Sequence, residues 1–378
     1  MGIELKEVRS RADLRTWVRF PNKLYGDTAA FVPFLEQDEI ETFSRDKNPA
    51  YAFCETRLFL AYKDGKVVGR VAGIINNKAN KTWNLNAVRF GWIDFIDDPE
   101  VSRALIEAVE KWGRSKGMTE IQGPLGFTDM DAEGMLIEGF EELGTMATIY
   151  NYPYYPKHIE ALGYEKEADW IEMFIKVPRE TGLPDRFKRI AEIVMQKYNL
   201  QIKKYTSSKK LAADYGQEIF QLINEAFKPL FGYSELSQKQ IDQYVKTYLP
   251  ILDLKLISLI TEADGRLIGV GISMPSMSRA LQKAKGKLFP FGWWHLLKAL
   301  KWKKPKILDL MLVAIKPEYQ GKGVNSLLFY DLLPIYIQEG YEYVETNVEL
   351  ESNSKVQQQW IYFERRQHKR RRCFKKAL

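Results

Sequence analysis

The chain has 378 residues, two cysteines and three histidines, and is 45% hydrophobic and 28% charged. That length exceeds one ordinary core, so two domains are expected, with enough apolar residues for a real interior. Cys54 and Cys373 cannot build a disulfide framework or a cysteine zinc site, and three histidines without HExxH spacing give no metal to expect.

The net charge of +7 is unevenly placed. Arg279 to Lys306 holds nine Lys/Arg and no acid, and Arg365 to Leu378 holds eight and no acid, so the rest of the chain is net acidic. A uniformly basic nucleic-acid binder is not written this way, and nucleic acid is not the expected partner. Two local basic surfaces suit an anionic ligand, a membrane surface or an interdomain contact. The opening MGIELKEVRSRADLRTW lacks an apolar signal core, and Lys6 stands where a myristoylation motif needs Ser or Thr. No run of 18 uncharged apolar residues occurs, so a soluble, cytoplasmic protein is the expectation.

Along the chain, short strand-like runs alternate with longer helical ones, which predicts an α/β or α+β fold. Leu58 to Gly69 reads as a hairpin turning at Asp64-Gly65. The strand Gly91–Ile96 follows, then three acids (Asp97, Asp98 and Glu100) at the start of a helix spanning Val101–Trp112. A strand over Thr119–Gln122 comes next. Gly123 to Gly134 is an acidic, turn-rich stretch that suits either a loop facing a cationic amine or a plain connection. Asn151-Tyr-Pro-Tyr-Tyr-Pro156 reads as a rigid, ligand-facing loop.

Val177 to Pro184 is rich in breakers and marks a linker, dividing the chain into 1–178 and 179–378. A helix restarts at 185–200. A second hairpin, Leu256 to Gly269, repeats the Asp-Gly…Gly spacing of the first at Asp264, Gly265 and Gly269. Residues 290–304 form a tryptophan- and lysine-rich insertion with Trp293, Leu296, Leu297 and Leu300 on one helical face. It suits peripheral contact with anionic lipid, a lid over an apolar site, or packing on its own domain. The helix Val324–Gln338 contains Pro334, which should kink or loosen it. It ends at Gly340 before a strand over Tyr343–Leu350. A duplicated hairpin–strand–helix–strand unit accounts for this order.

The chemistry concentrates between Leu308 and Ser326. An apolar strand stops at Pro317, and Gln320-Gly321-Lys322-Gly323-Val324-Asn325-Ser326 leads directly into a helix. The two glycines let backbone N–H groups approach a ligand, the first helical turn favours a phosphate, and Lys322 adds a cation. No Walker loop or complete GxGxxG is present.

This segment resembles the Q/R-x-x-G-x-G/A pyrophosphate loop of the GNAT acetyltransferase superfamily, departing from it at Asn325. The Tyr155 to Tyr164 segment is similar to that superfamily's closing Tyr–helix–Gly–aromatic pattern. The resemblance implies two tandem GNAT-like domains, each a mixed, mostly antiparallel sheet flanked by helices, as in N-myristoyltransferases and peptidoglycan aminoacyltransferases. It implies that residues 179–378 bind acetyl-CoA or another acyl-CoA and that 1–178 is a degenerate copy. Leu312, Val313, Ala314 and Ile315 would hydrogen-bond the pantetheine arm through their backbone, and Gln320 to Ser326 would hold the pyrophosphate. Asn353 matches the Asn that starts the family's later helix.

Acyl transfer to an amine needs a base, donors for the oxyanion and an acid for the thiolate. The resemblance offers Asp309 as base, with Glu345 and Glu349 as fallbacks, and Tyr362 as acid. His368 is expected in the basic surface instead. The implied function is N-acyltransfer, acetyl first, directly to a small-molecule or peptide amine, without a nucleophilic Cys or a metal. The alternative is a non-catalytic GNAT-fold protein that binds acyl-CoA, lipid or a partner.

Overall fold

The structure, a computed structural model, describes residues 2–378. Its strands are β1 (Glu4–Glu7), β2 (Cys54–Lys63), β3 (Lys66–Asn76), β4 (Ala87–Phe95), β5 (Glu120–Gly123), β6 (Met135–Glu138) and β7 (Glu165–Lys176). They continue with β8 (Leu200–Lys203), β9 (Ile257–Glu262), β10 (Leu267–Pro275), β11 (Ile307–Ile315), β12 (Tyr343–Thr346), β13 (Glu349–Leu350) and β14 (Arg365–Ala377).

Two compact units form, and neither is contiguous. Unit 1 runs from the amino terminus to Ile171 and includes Met277–Lys298 and His368–Leu378; unit 2 holds Glu172–Ser276 and Ala299–Gln367. The sequence divides most simply at 178, whereas these units trade segments. Strand β7 gives 165–171 to unit 1 and 172–176 to unit 2, and β14 ends the chain inside unit 1.

In unit 1 the strands lie in the order β1-β2-β3-β4-β5-β14, with β6 on β14. Pairing is antiparallel except for parallel β4–β5. The helix Pro99–Ser115 lays Val101, Leu105, Val109 and Trp112 on this sheet. It lies so close that a Cβ at Gly69 would sit 2.7 Å from Leu105, and one at Gly73 would sit 2.8 Å from Trp112. Glycine at these two β3 positions sets the helix–sheet distance.

The basic carboxyl terminus is not the open cationic surface that its sequence suggests. From His368 it is a sheet strand of unit 1, and its charges meet the acids of that unit. Arg372 donates to Asp169 at 2.8 and 3.1 Å, and Arg370 donates to the same carboxylate at 3.2 Å. Lys375 pairs with Glu167 at 2.6 Å and Lys376 with Glu110 at 3.0 Å. Burial pushes the Asp169 carboxyl up, but the hydrogen bonds from Arg372 and Lys166 outweigh it and hold the carboxyl below its usual range. His368 is buried, 3.5 Å from Glu142, so it too is interior and not part of a basic surface.

In unit 2 the order is β7-β12-β11-β10-β9-β8, antiparallel except for parallel β11–β12. The helices Asp185–Tyr198 and Asn325–Gln338 close one face through Ala191, Val194, Leu327 and Leu328, which pack on Ile260 and Ile268. Pro334 is accommodated within the unbroken helix Asn325–Gln338.

The repeated Asp-Gly string folds two ways. Asp64 and Gly65 both take positive φ, at 50° and 72°, and join β2 to β3 through a two-residue turn. In the second hairpin only Gly265 does, at 95°, while Glu262 donates to Arg266 O at 3.0 Å across a three-residue loop.

Candidate functional site

Strand β11 carries the site in unit 2. Its first half is paired on both sides: Ile307 to Leu310 run parallel to Tyr343 to Thr346, and the other edge meets β10. Met311 is the extra residue of a bulge, since Ile272 pairs with Leu312 and Ser273 with Leu310. Beyond it β12 leaves, with the Asn347 N–H donating to Leu310 O at 3.2 Å. Leu312, Val313, Ala314 and Ile315 continue with only β10 beside them, so one backbone edge has no strand partner among the described residues. Ala314 is buried, Leu312 and Ile315 are half-buried, and Val313 is exposed. Gln320 Nε2 already donates to Ile315 O at 3.1 Å, which leaves residues 312–314 as the free stretch.

The turn after β11 opens its amides because of its glycines. Gly321 and Gly323 hold φ of 74° and 81°, where a side chain is strained. Among the described residues no intrachain acceptor meets the N–H groups of Gly321, Gly323 or Val324. Val324 is buried and its side chain anchors the turn in the core. Ser326 Oγ donates back to Gly323 O at 2.7 Å and fixes the loop to its helix. Lys322 is exposed, with its ammonium 5.4 Å from the Tyr319 ring and 5.6 Å from the Tyr198 ring. Open amides, a helix start and a cation form an anion cradle. Asn325 does not fill it, because its amide turns away to donate to Gln359 Oε1 at 3.3 Å.

Beside the cradle lies an apolar crevice of about 60 Å³, lined by Gly271, Leu310, Val313, Leu328, Phe329 and Trp360 among others. It is lined by residues of both β11 and β12, with Asn325 and Gln359 among its few polar side chains.

The expected catalytic groups are not gathered at one point. Asp309 is buried and lies in register with Glu345, also buried, so two carboxyls share one face of the sheet. A Glu345 carboxyl oxygen comes within 4.8 Å of one on Glu172. Glu349 stands three residues past Thr346, half-buried, accepting from Trp360 Nε1 at 2.8 Å. Burial raises its carboxyl to about 7, against hydrogen bonds from Trp360 and Thr346 that pull it down. Tyr362 is exposed and packs edge-on to Phe187 at 5.5 Å, with the Arg186 guanidinium 4.6 Å above its ring. Asn353 is the residue before the short helix Ser354–Gln358 and caps it with its backbone only. The roles of Asn347, Gln359 and Trp360 were not legible in the sequence, since each depends on a partner between 11 and 36 residues away.

Unit 1 shows what the same strand–turn–helix becomes when closed. Asp98 caps its helix by accepting from Glu100 N at 2.9 Å, and Lys63 holds the Asp98 carboxylate at 2.7 Å. That Lys63 hydrogen bond keeps the carboxyl below its usual range. The segment after β5 fills the gap where β4 and β5 part: Leu125 N donates to Phe90 O at 2.9 Å, and Arg89 to Gly126 O at 3.1 Å. Tyr155 OH accepts from Phe95 N at 2.8 Å, and Tyr154 OH donates to Phe95 O at 2.6 Å.

Gly123 to Gly134 plugs unit 1 with its buried residues 123–128 and 133–134, while Asp129 to Ala132 stay half-exposed. Burial raises its Asp131 carboxyl to about 6. Asn151 to Pro156 is anchored at two points: Asn151 bonds both the N–H and the C=O of Leu136, and Tyr155 is fully buried, while Pro153 is exposed and Tyr152, Tyr154 and Pro156 are half-buried.

No protein-family signature matches the chain. Over its whole length it aligns with a solved tandem GNAT protein from the clavulanic acid biosynthesis pathway, at a TM-score of 0.54, 12% identity and 98% coverage of that chain. The fold is a tandem GNAT fold. A GCN5-related N-acetyltransferase from Sphaerobacter thermophilus aligns over 99% of this chain and 95% of its own, with a TM-score of 0.52 and 12% identity. In sequence, the chain is 27% identical to Protein YghO of Escherichia coli, covering 98% of this chain and 94% of that protein. It is 26% identical to the bacterial ceramide synthase of Caulobacter vibrioides, covering 92% and 90%.

Proposed function

We propose that the chain is an acyl-CoA-dependent N-acyltransferase whose coenzyme lies on unit 2. The observation that supports this reading is the unpartnered backbone edge at 312–314, continuous with the open amides of Gly321, Gly323 and Val324. Pantetheine amides suit the first and a diphosphate suits the second. Acetyl-CoA fits as the minimal donor. The name of the Caulobacter relative favours a longer acyl chain and an amine borne on a lipid-like acceptor, while the apolar crevice beside Val313, at about 60 Å³, has room for only the first few carbons of an acyl chain.

In this reading the acceptor enters as an ammonium. Glu349, raised to about 7 by burial and with its Oε2 without a hydrogen-bond partner among the described residues, takes the proton; Asp309 and Glu345 are the other buried carboxyls of this part of the sheet. The free amine attacks the thioester carbon, the C–S bond breaks, and the nitrogen loses its second proton as the CoA thiolate gains one, giving amide and free thiol. The expected acid for the sulfur is Tyr362, whose ring is held edge-on to Phe187.

The test is thiol release from acetyl-, octanoyl- and palmitoyl-CoA with a panel of simple and long-chain amines. Release that depends on both amine and Glu349 supports the reading. CoA binding without release for any amine supports the rival one, a GNAT-fold binding protein, which the packed Tyr362 favours.

A further inference from the structure

The tryptophan-rich insertion is not used by the site above, and its exposure is unusual. Phe289 is 77% exposed and Phe291 74%, with Trp293 and Trp294 next at 43% and 44%. These four rings follow one another within six residues, so they form one apolar tip instead of scattered single side chains. Of the helix Gly292–Lys301 that continues from the tip, only Gly292 is buried; Leu296, Leu297 and Leu300 are half-buried. The helix is therefore only partly packed, with its leucines half-covered and Trp293 and Trp294 outward.

The base of the tip is fastened. Gln282 Nε2 donates to Ala29 O at 2.9 Å and Phe31 O at 2.8 Å, and Glu36 N donates to Gly286 O at 2.8 Å. Trp293 Nε1 donates to Pro290 O at 3.0 Å, which satisfies the indole while its apolar ring stays out. A fold that holds phenylalanine and tryptophan rings outward on a secured base gives them a docking role.

The charge within the segment itself is of one sign, although Glu36 lies at its base. Lys283, Lys285, Lys287 and Lys298 are exposed, and the run from 279 to 306 has no acid. Among the described residues, Lys283, Lys285 and Lys298 have no carboxylate partner, and Lys287 has only Glu36 at 4.0 Å. This contrasts with the carboxyl-terminal basic run, whose charges are spent on acids of unit 1.

We infer that this tip docks unit 1 on a lipid bilayer bearing anionic headgroups. The Phe and Trp rings enter the headgroup–acyl boundary, and the lysines meet the headgroup charge. The complementarity is specific to that occupant: aromatic rings need an apolar layer, and unpaired lysines need a negative plane beside it. The inference is independent of the acyl-transfer reading, since none of these residues belongs to the strand edge or the cradle.

Sedimentation of the full chain with vesicles tests it. Binding is expected to vesicles of mixed phosphatidylcholine and phosphatidylglycerol, to weaken with salt, and to be absent for phosphatidylcholine alone. Lys283→Gln, Lys285→Gln and Lys298→Gln should each weaken binding about fivefold. The pair Phe289→Ser and Phe291→Ser should remove most of it while leaving salt dependence in what remains. All five positions are exposed, and near-UV circular dichroism confirms that the variants stay folded. Failure of the wild type to bind anionic vesicles overturns the proposal, as does binding untouched by the Phe pair. Concentration-dependent dimers abolished by the Phe pair, without vesicle binding, would assign the tip to a second copy of the chain instead.

Discussion

The two units contain the same strand–turn–helix and treat it oppositely. In unit 1 the helix start is capped by Asp98, the gap beside β4 is plugged by residues 124–127, and Tyr154 and Tyr155 occupy the backbone of Phe95. In unit 2 the turn carries two glycines and no acid, and β11 keeps an unpartnered edge from 312 to 314. The difference teaches that a sheet and a helix make a ligand site only where the chain leaves its own hydrogen-bonding groups unsatisfied. Unit 1 has closed these positions with its own side chains and backbone. Unit 2 keeps the positions open and carries the candidate site.

The contrast can be broken by mutation, and the largest effect is expected at the base. Glu349→Gln should lower kcat/KM by roughly a hundredfold or more, the usual contribution of a positioned base. The base works when ionised, so the wild-type rate should rise with pH through about 7, and that limb should vanish in the variant. Asp309→Asn is the control, and a larger loss there than at Glu349 would return the base to Asp309.

Next in size, Gly321→Asp would place a unit 1-type acid in the unit 2 turn. Nothing lies within 4 Å of that Cβ, but a φ of 74° strains any side chain by about 1 kcal/mol or more, so near-UV circular dichroism first checks that the turn stays folded; CoA affinity should then fall roughly a hundredfold by calorimetry. In the opposite direction, Asp98→Ala should cost unit 1 about 1 kcal/mol of stability in a denaturant titration and leave CoA affinity unchanged. Smallest of all, Asn325→Gly should change CoA affinity by less than about threefold, because the Asn325 amide already points to Gln359. A gain of tenfold or more would show that Asn325 crowds the ligand.

Much of this could be read from the residues because it is local. Both Asp-Gly hairpins, the helix after Asp97-Asp98-Pro99 and the glycine turn before Asn325 are short-range features, and each forms where its residues indicate. The hidden parts rest on long-range pairing. Nothing local in Lys369-Arg-Arg-Arg372 shows that Asp169, some 200 residues earlier, will take up its charge and turn a basic run into a strand. Gly123 to Gly134 reads as an acidic loop because burial cannot be read from composition alone; Glu133 is buried and burial raises the Asp131 carboxyl. Segment exchange between the units was invisible for the same reason, since a linker rich in breakers marks a change of direction and not the unit a strand will join.

The central claim is that the amides at the start of the helix Asn325–Gln338 hold the coenzyme diphosphate and those of Pro99–Ser115 do not. Amide hydrogen exchange on the full chain, with and without CoA, tests this directly. Exchange at 321–324 should be fast without CoA and slow on its addition, with 97–101 unchanged. Protection at 97–101, or unaltered exchange at 321–324 in the presence of bound CoA, would contradict it.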